Sequence, residues 1–97
     1  MTANYLVCYD ITRPKRLRKV FKLMKGTGIH IQYSVFHCSL TWQQLLDLKE
    51  RLKNIINPRF DDIRIYPLPS GNKVIVLGCG NRLPDGAEIF ILPAAGR

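Results

Sequence analysis

The chain has 97 residues, 46% of them hydrophobic, which is enough for one small core, so a single domain over residues 1–97 is predicted. Fifteen Lys and Arg against seven acidic residues give a formal net charge of +8, which favours a polyanionic partner such as nucleic acid, although a solubilising surface charge also fits. No apolar run reaches the roughly 20 residues that span a bilayer, and Cys8, Cys38 and Cys79 form no C-x-x-C pair, so we expect a reduced, cytoplasmic protein without a membrane segment.

The first predicted strand, Asn4 to Asp10, is apolar on both alternating faces until it ends on the carboxylate of Asp10. A strand of this kind is buried on both sides of its sheet. A domain of this size has helices to cover one side and little material for the other. We therefore expect a second subunit to cover the remaining side.

A helix is predicted next, with Thr12 or Arg13 as its cap, Pro14 in the first turn, and Gly26 and Gly28 at its end. Apolar residues at helical spacing form its predicted buried stripe: Leu17, Val20, Phe21 and Met24.

The remaining surface of this helix is cationic, and the sequence has no acidic residue between Asp10 and Asp47. The basic residues are Arg13, Lys15, Arg16, Arg18, Lys19, Lys22 and Lys25. Cations at the positive end of a helix dipole are locally unfavourable, so the pattern predicts a phosphate-binding face. An ordinary solvated helix surface is the alternative.

The segment from Ile29 to Leu40 changes its apolar face between Val35 and Phe36, which predicts two short strands or one strand with a bulge near residues 33–35. A capping box at 41–44 then begins a second helix that ends at Asn57-Pro58. The predicted inner stripe of that helix is Leu45, Leu48, Leu52, Ile55 and Ile56.

A further strand is predicted from Asp61 to Leu68, with Ile63 and Ile65 facing inward. A turn at 70–72 separates it from a strand at 73–77, and a last apolar strand covers 87–93. The order predicts an α+β, ferredoxin-like βαββαβ sandwich with a core of about 4–69 and a C-terminal extension of about 73–93. The last strand is expected to add to a sheet edge, its own or a partner's.

Asp10 lies at a rigid strand end beside a cationic helix, where a carboxylate and substrate phosphates would suit Mg²⁺. In a two-fold dimer a second Asp10 would supply a second ligand. Alternatively, Asp10 caps the following turn or pairs with Arg13 or Arg16. Asp61 and Asp62 open the antiparallel fourth strand, so they are candidate assisting ligands or simply turn residues.

Other kinds of site are not predicted. His30 and His37 lack the spacing of zinc ligands, and Ser34 lacks the G-x-S-x-G context of a nucleophile. Residues 35–40 do not match the aromatic strand of an RNA-recognition module, which shares this strand order.

Four segments together resemble the small CRISPR-associated endoribonuclease family, the smaller subunit of the spacer-acquisition complex. They are L-V-C-Y-D-I-T at 6–12, K-R-L-R-K-V at 15–20, G-I-H-I-Q-Y-S-V-F at 28–36 and D-D-I-R-I-Y-P-L at 61–68. The combination of strand-end Y-D-I with Q-Y-S-V-F at this interval is the specific part of the resemblance.

The resemblance implies a homodimer with its two sheets packed face to face and its C-terminal strands completing the partner's sheet. It also implies that Asp10 binds Mg²⁺, or another divalent cation such as Mn²⁺, and that Tyr9 and Phe36 take part in catalysis. Nucleic-acid contacts are expected from the basic helix and from His30, which stands where the family often has an arginine. These contacts would be Arg13, Lys15, Arg16, Arg18, Lys19, Lys22 and His30.

Two functions follow from the resemblance. One is metal-dependent endonuclease action on single-stranded RNA or double-stranded DNA through symmetry-related Asp10 side chains, in antiviral defence. The alternative is a non-catalytic dimer that binds DNA and bridges the large CRISPR integrase subunit. A third possibility, independent of the resemblance, is an unrelated ferredoxin-like dimer without a nucleic-acid role.

Overall fold

The computed structural model describes residues 1–69 and contains six regular elements. They are β1 (Ala3–Asp10), α1 (Pro14–Lys25), β2 (Ile29–Gln32), β3 (Val35–Leu40), α2 (Trp42–Ile55) and β4 (Asp62–Leu68). This β-α-β-β-α-β sequence of elements is the predicted one. The predicted turn at 70–72 and the strands at 73–77 and 87–93 lie outside the described residues.

The four strands form one sheet in the order β2-β3-β1-β4, and each neighbouring pair is antiparallel. The central strand β1 places Val7 opposite Phe36 of β3 and Ile65 of β4. The predicted mixed α+β class is therefore confirmed.

The core lies on the face of the sheet that the two helices cover. Alternation along β1 directs Val7 and Tyr9 to this face, where they meet Phe36 and Cys38 of β3. The helices contribute five buried side chains: Val20, Met24, Leu45, Leu48 and Leu52. Within residues 1–69 the half-buried Cys8 and the buried Cys38 are free thiols, and Cys79 lies outside the described residues; burial raises the pKa of Cys8, and it raises that of Cys38 to about 11.

The opposite face, which we call the open face, carries Leu6, Cys8 and Val35, all half-buried. The strand was predicted to be buried on both sides, but among residues 1–69 only Val7 and Tyr9 on its helix-covered side are buried, and its open side is half-buried. Asp10 lies on the open face at the end of the strand because it shares its parity with Leu6 and Cys8.

Helix α1 begins after Arg13, with Pro14 in the first turn, and ends at Gly26 as predicted. Its N-terminus has no side-chain cap and no acidic residue in the first turn. The predicted buried stripe is confirmed at Val20 and Met24, Phe21 is half-buried, and the prediction is wrong at Leu17, which is 38% exposed. This residue lies beside a cavity at the end of the sheet rather than over the sheet itself.

Gly28 permits a close approach between the end of α1 and β3. A Cβ atom at this position would lie 2.5 Å from the Cys38 Sγ and 2.6 Å from the His37 carbonyl oxygen. Only a residue without a side chain fits here, which explains why the connection to β2 carries glycine.

The parity change before Phe36 is resolved as two strands joined by a turn at Tyr33 and Ser34, with a register irregularity between His30 and Gln32. The capping box of α2 is confirmed in full. The Thr41 Oγ1 accepts from the Gln44 backbone N at 3.1 Å, and the Gln44 Oε1 accepts from the Thr41 backbone N at 2.8 Å. Over residues 1–69, neither helix is both long and apolar enough to traverse a bilayer.

Candidate functional site at the end of the first strand

The carboxylate of Asp10 is exposed at the end of β1. Two alternatives from the sequence involved pairing with Arg13 or Arg16. Among residues 1–69, however, the Asp10 side chain has no hydrogen bond and no ion pair, and Arg16 is bound elsewhere. Asp10 is therefore an accessible carboxylate whose oxygens are not bound by any other described side chain.

Asp62 lies directly opposite Asp10 in the β1–β4 ladder, so the two carboxylates share the open face. The Asp62 Oδ2 accepts from the Arg64 Nε at 3.0 Å, and both of these side chains are well exposed. Like charges directly opposite each other destabilise an antiparallel pair. A cation bound between them would offset this repulsion.

This carboxylate pair fits a divalent cation of the hard, oxygen-preferring kind. Mg²⁺ usually takes one or two carboxylates and completes its coordination with water and substrate oxygens. Among residues 1–69, no cluster of three or more His, Cys, Asp or Glu side chains is present, so a closed protein cage is not what this part of the chain offers. The residues suit an open site that needs substrate oxygens.

Asp61 has a different place in the structure, although it precedes Asp62 directly. Its carboxylate accepts from the Thr12 backbone N at 3.0 Å, the Thr12 Oγ1 at 3.1 Å and the Asn57 backbone N at 2.9 Å. It also accepts from the Arg16 Nε at 2.6 Å and the Arg16 Nη2 at 3.1 Å. Asp61 thereby joins the β1–α1 loop, the helix α1 and the loop before β4.

The surroundings of Asp61 favour its charged form. Hydrogen bonding from Arg16 lowers the pKa of this carboxyl well below its usual range, against the opposing effect of burial, and the Asn57 and Thr12 donors lower it further. With all of these donors engaged, Asp61 is a structural carboxylate. Of the two acidic residues that open β4, Asp62 is the one beside Asp10.

The predicted basic face of α1 is largely free for a ligand. Within the described part of the chain, five of the predicted contacts are exposed and have no acidic partner: Arg13, Lys15, Arg18, Lys19 and Lys22. Arg16 is the exception, because its guanidinium is only 23% exposed and binds Asp61. The ion pair of Arg16 with Asp61 therefore stabilises the fold.

The aromatic candidates lie on the helix-covered side of the sheet. Phe36 has no exposed surface, and its ring is 6.2 Å from that of Tyr9, which is 7% exposed. The His30 ring stacks on Phe36 at 4.8 Å, and its Nε2 lies 2.6 Å from the Tyr33 carbonyl oxygen. Direct participation of Tyr9 and Phe36 in chemistry stays a prediction; their observed contacts are packing contacts.

One feature was missed by sequence reasoning. The Asp61–Arg16–Thr12 network joins residues that are 45 to 49 positions apart, so no local motif announces it. The sequence did place Asp61 and Asp62 near Asp10 as candidate assisting ligands, and the strand register now shows that Asp62 is the one opposite Asp10.

Known proteins similar to this chain belong to the family that its sequence motifs resemble. A sequence profile of the family described as "CRISPR associated protein Cas2" matches residues 3–74. A relative from Thermodesulfovibrio yellowstonii, named CRISPR-associated endoribonuclease Cas2 2, is 53% identical over 90 residues, covering 93% of this chain and 99% of the relative.

Similar solved structures include two with 37% and 42% sequence identity. The hypothetical protein TT1823 from Thermus thermophilus has a TM-score of 0.75 and 37% identity, covering 80% of this chain and 93% of that one. Cas2 from Streptococcus pyogenes has a TM-score of 0.66 and 42% identity, covering 70% of this chain and 88% of the other.

Proposed function

The chain belongs to the CRISPR-associated Cas2 family, and on this premise we propose that it is a metal-dependent endonuclease of CRISPR spacer acquisition. Its substrate would be single-stranded RNA or double-stranded DNA, cleaved by phosphodiester hydrolysis in the cytoplasm. The observation that carries the proposal is the exposed Asp10 carboxylate, which has no described side-chain partner and lies opposite Asp62 beside a cationic helix.

Asp10, assisted by Asp62, would hold Mg²⁺ or Mn²⁺. When bound, such an ion supplies Lewis-acid polarisation of a phosphate oxygen and a water of lowered pKa. The protein's own contribution is positioning. The Asp61 network fixes Thr12, two residues after Asp10, and thereby limits movement of the strand end that carries the metal-binding carboxylate.

We extend the proposal to a ferredoxin-like homodimer in which the open faces of two sheets pack together and the C-terminal strands complete the partner's sheet. Support comes from the half-buried apolar residues Leu6, Cys8 and Val35, which no described helix covers. Two-fold symmetry would bring a second Asp10 to the site. Such a dimer would make the nuclease a shared property of two chains.

The endonuclease proposal is tested by Asp10→Asn, which keeps the size of the side chain and removes its charge. We expect cleavage of single-stranded RNA and double-stranded DNA with Mg²⁺ to fall by at least about 100-fold, since a carboxylate ligand is lost. Asp47→Asn is the matched control, because Asp47 is an exposed carboxylate on α2, 62% exposed and paired with Arg51. Undiminished cleavage by correctly folded Asp10→Asn would refute the proposal.

A second candidate function is a non-catalytic scaffold that binds duplex DNA and docks the large CRISPR integrase subunit. The exposed cations of α1 favour it, because a row of positive side chains along one helix suits contact with the phosphate backbone. This function does not depend on Asp10. The same dimer can serve both functions, on different surfaces.

The scaffold is tested by reversing charge on α1 without disturbing Arg16. We expect Lys19→Glu with Lys22→Glu to weaken duplex binding and to reduce the slope of log K against log salt by about 1 per lost phosphate contact. Lys49→Glu with Lys53→Glu makes the same charge change on exposed positions of α2. Equal effects of the two pairs would show that only net charge matters.

A further inference from the structure

A cavity of about 470 Å³ opens where the sheet ends, on the side that carries α1. It is lined by Tyr9, Leu17, Arg18, Phe21, Tyr33 and Ser34. Its walls are mainly apolar and aromatic, with one cation. Its size lies within the roughly 300–1,000 Å³ of typical small-molecule sites. The exposed Leu17, which departs from the predicted buried stripe, is explained as part of this wall.

The most unusual residue of the cavity is Tyr33. It has a φ of 42°, in the left-handed region that a bulky side chain rarely adopts. Its residue surface is 87% exposed, so burial of its ring does not account for the conformation. Two contacts around the turn hold the backbone: the His30 Nε2 lies 2.6 Å from the Tyr33 carbonyl oxygen, and the Ser34 carbonyl oxygen accepts from the Tyr9 backbone N at 3.1 Å.

Phe21, another residue of the cavity wall, packs against two other rings. The Phe21 ring meets His30 edge-on at 5.4 Å and Phe36 at 5.8 Å, and His30 stacks on Phe36. These contacts fix Phe21 at one side of the cavity while Tyr33 stands exposed at another. An exposed aromatic ring beside a fixed aromatic wall is an arrangement suited to a flat, stacking ligand.

We propose that this cavity binds one unpaired nucleobase of a nucleic acid, with the Tyr33 ring stacked on the base and Arg18 paired with a neighbouring phosphate. The proposal rests on the proposed function for the identity of its ligand. Two observations favour a nucleotide over another flat ligand: Arg18 supplies a cation at the cavity, and further exposed cations lie on the same helix α1.

A base enters such a site only when it is free of its complement. The cavity would therefore strengthen the binding of single strands, or of unpaired ends, relative to intact duplex. The basic helix would bind the phosphates of a single strand and of a duplex alike. Tyr33 is therefore the residue expected to distinguish single strands from duplex.

The test measures binding in EDTA, so that no cleavage occurs. A single-stranded RNA oligonucleotide carrying a fluorescent adenine analogue is titrated with the protein, and the duplex of the same sequence is titrated in parallel. Tyr33→Gly removes the ring and relieves the positive φ, so folding should be kept. Tyr33→Phe keeps the ring. Trp42→Ala is the matched control, since Trp42 is 64% exposed and begins α2, which follows β3 at the opposite end of the sheet.

We expect Tyr33→Gly to weaken single-strand binding about tenfold and to reduce the fluorescence quenching, with duplex binding changed by less than about twofold. Tyr33→Phe and Trp42→Ala should resemble the unchanged protein. The inference is overturned if Tyr33→Gly binds the single strand normally, or if it loses single strand and duplex by the same factor. Undiminished cleavage by Asp10→Asn would refute the nuclease alone, because the binding test uses no metal.

Discussion

Asp10 and Asp61 lie at the same end of the sheet, and their carboxylates have opposite surroundings. Asp61 has a side chain with no exposed surface and accepts hydrogen bonds from Thr12, Arg16 and Asn57. Asp10 is exposed and has no side-chain partner among residues 1–69. The comparison separates two uses of the same functional group: one carboxylate holds loops together, and the other is available to a ligand.

The difference follows from where each residue lies relative to the strands. Asp10 ends β1 on the open face, whereas Asp61 precedes β4 and meets the first turn of α1. A buried charge without partners is costly, so Asp61 is stable as an anion only because its donors surround it. The exposed carboxylate of Asp10 keeps its hydration and needs no such partners. Under the proposed function, Asp10 would exchange part of this hydration for a metal ion.

The largest expected effect on stability comes from Asp61→Asn. An amide cannot accept all of the hydrogen bonds that the carboxylate receives, and it leaves Arg16 without its anion. We expect the Tm to fall by on the order of 10 °C, measured by circular dichroism. Asp62→Asn, one residue away, is the matched control and should shift the Tm by much less. A small shift for Asp61→Asn would show that the network is not important for stability.

The next largest expected effect is on the unfolding free energy at acidic pH. Because the pKa of Asp61 is lowered in the folded protein, its stabilisation is fully present above the ordinary carboxyl pKa of about 3.9 and is lost as the pH falls toward the lowered value. Urea unfolding at about pH 5 and about pH 3 should show a larger loss of unfolding free energy for the unchanged protein than for Asp61→Asn. Equal losses would contradict the role assigned to this carboxylate.

The smallest expected effect is an increase in Tm rather than a decrease. Asp10→Asn removes one of two like charges that face each other across the β1–β4 ladder, so without divalent cations it should raise the Tm slightly, by about 1–3 °C. The gain should disappear at high salt, where the repulsion is screened. A fall in Tm would mean that Asp10 has a structural partner. This result would contradict the difference between the engaged carboxylate of Asp61 and the free carboxylate of Asp10.

Much of the fold was predictable because its signals are local. The parity change before Phe36 predicted either a break between two strands or a bulge at this point, and the structure has the break; the capping box at Thr41 and Gln44 predicted where α2 begins. The stripe of α1 was predicted correctly at Val20 and Met24 and wrongly at Leu17. Helical spacing shows which residues share a face, but it cannot show where the sheet beneath that face ends.

The candidate site was predictable in part. Asp10 was identified from its position at the end of an apolar strand, and the exposed cations of α1 from their number. Arg16 looks like its neighbours in sequence, yet its guanidinium binds Asp61. No pattern in the sequence distinguished it, because the partner is 45 positions away.

By itself, the sequence determined the class of the domain, the order of its elements, the strand-end carboxylate and the excess of positive charge. These properties depend on alternation, helical spacing, capping and composition, which act between near neighbours in the chain. Only the tertiary structure decided which acid stands opposite Asp10, which arginine is engaged and where a cavity opens beside Tyr33. Each of these depends on the register of strands and on the end of a sheet, and the chain fixes both only when distant segments pack together.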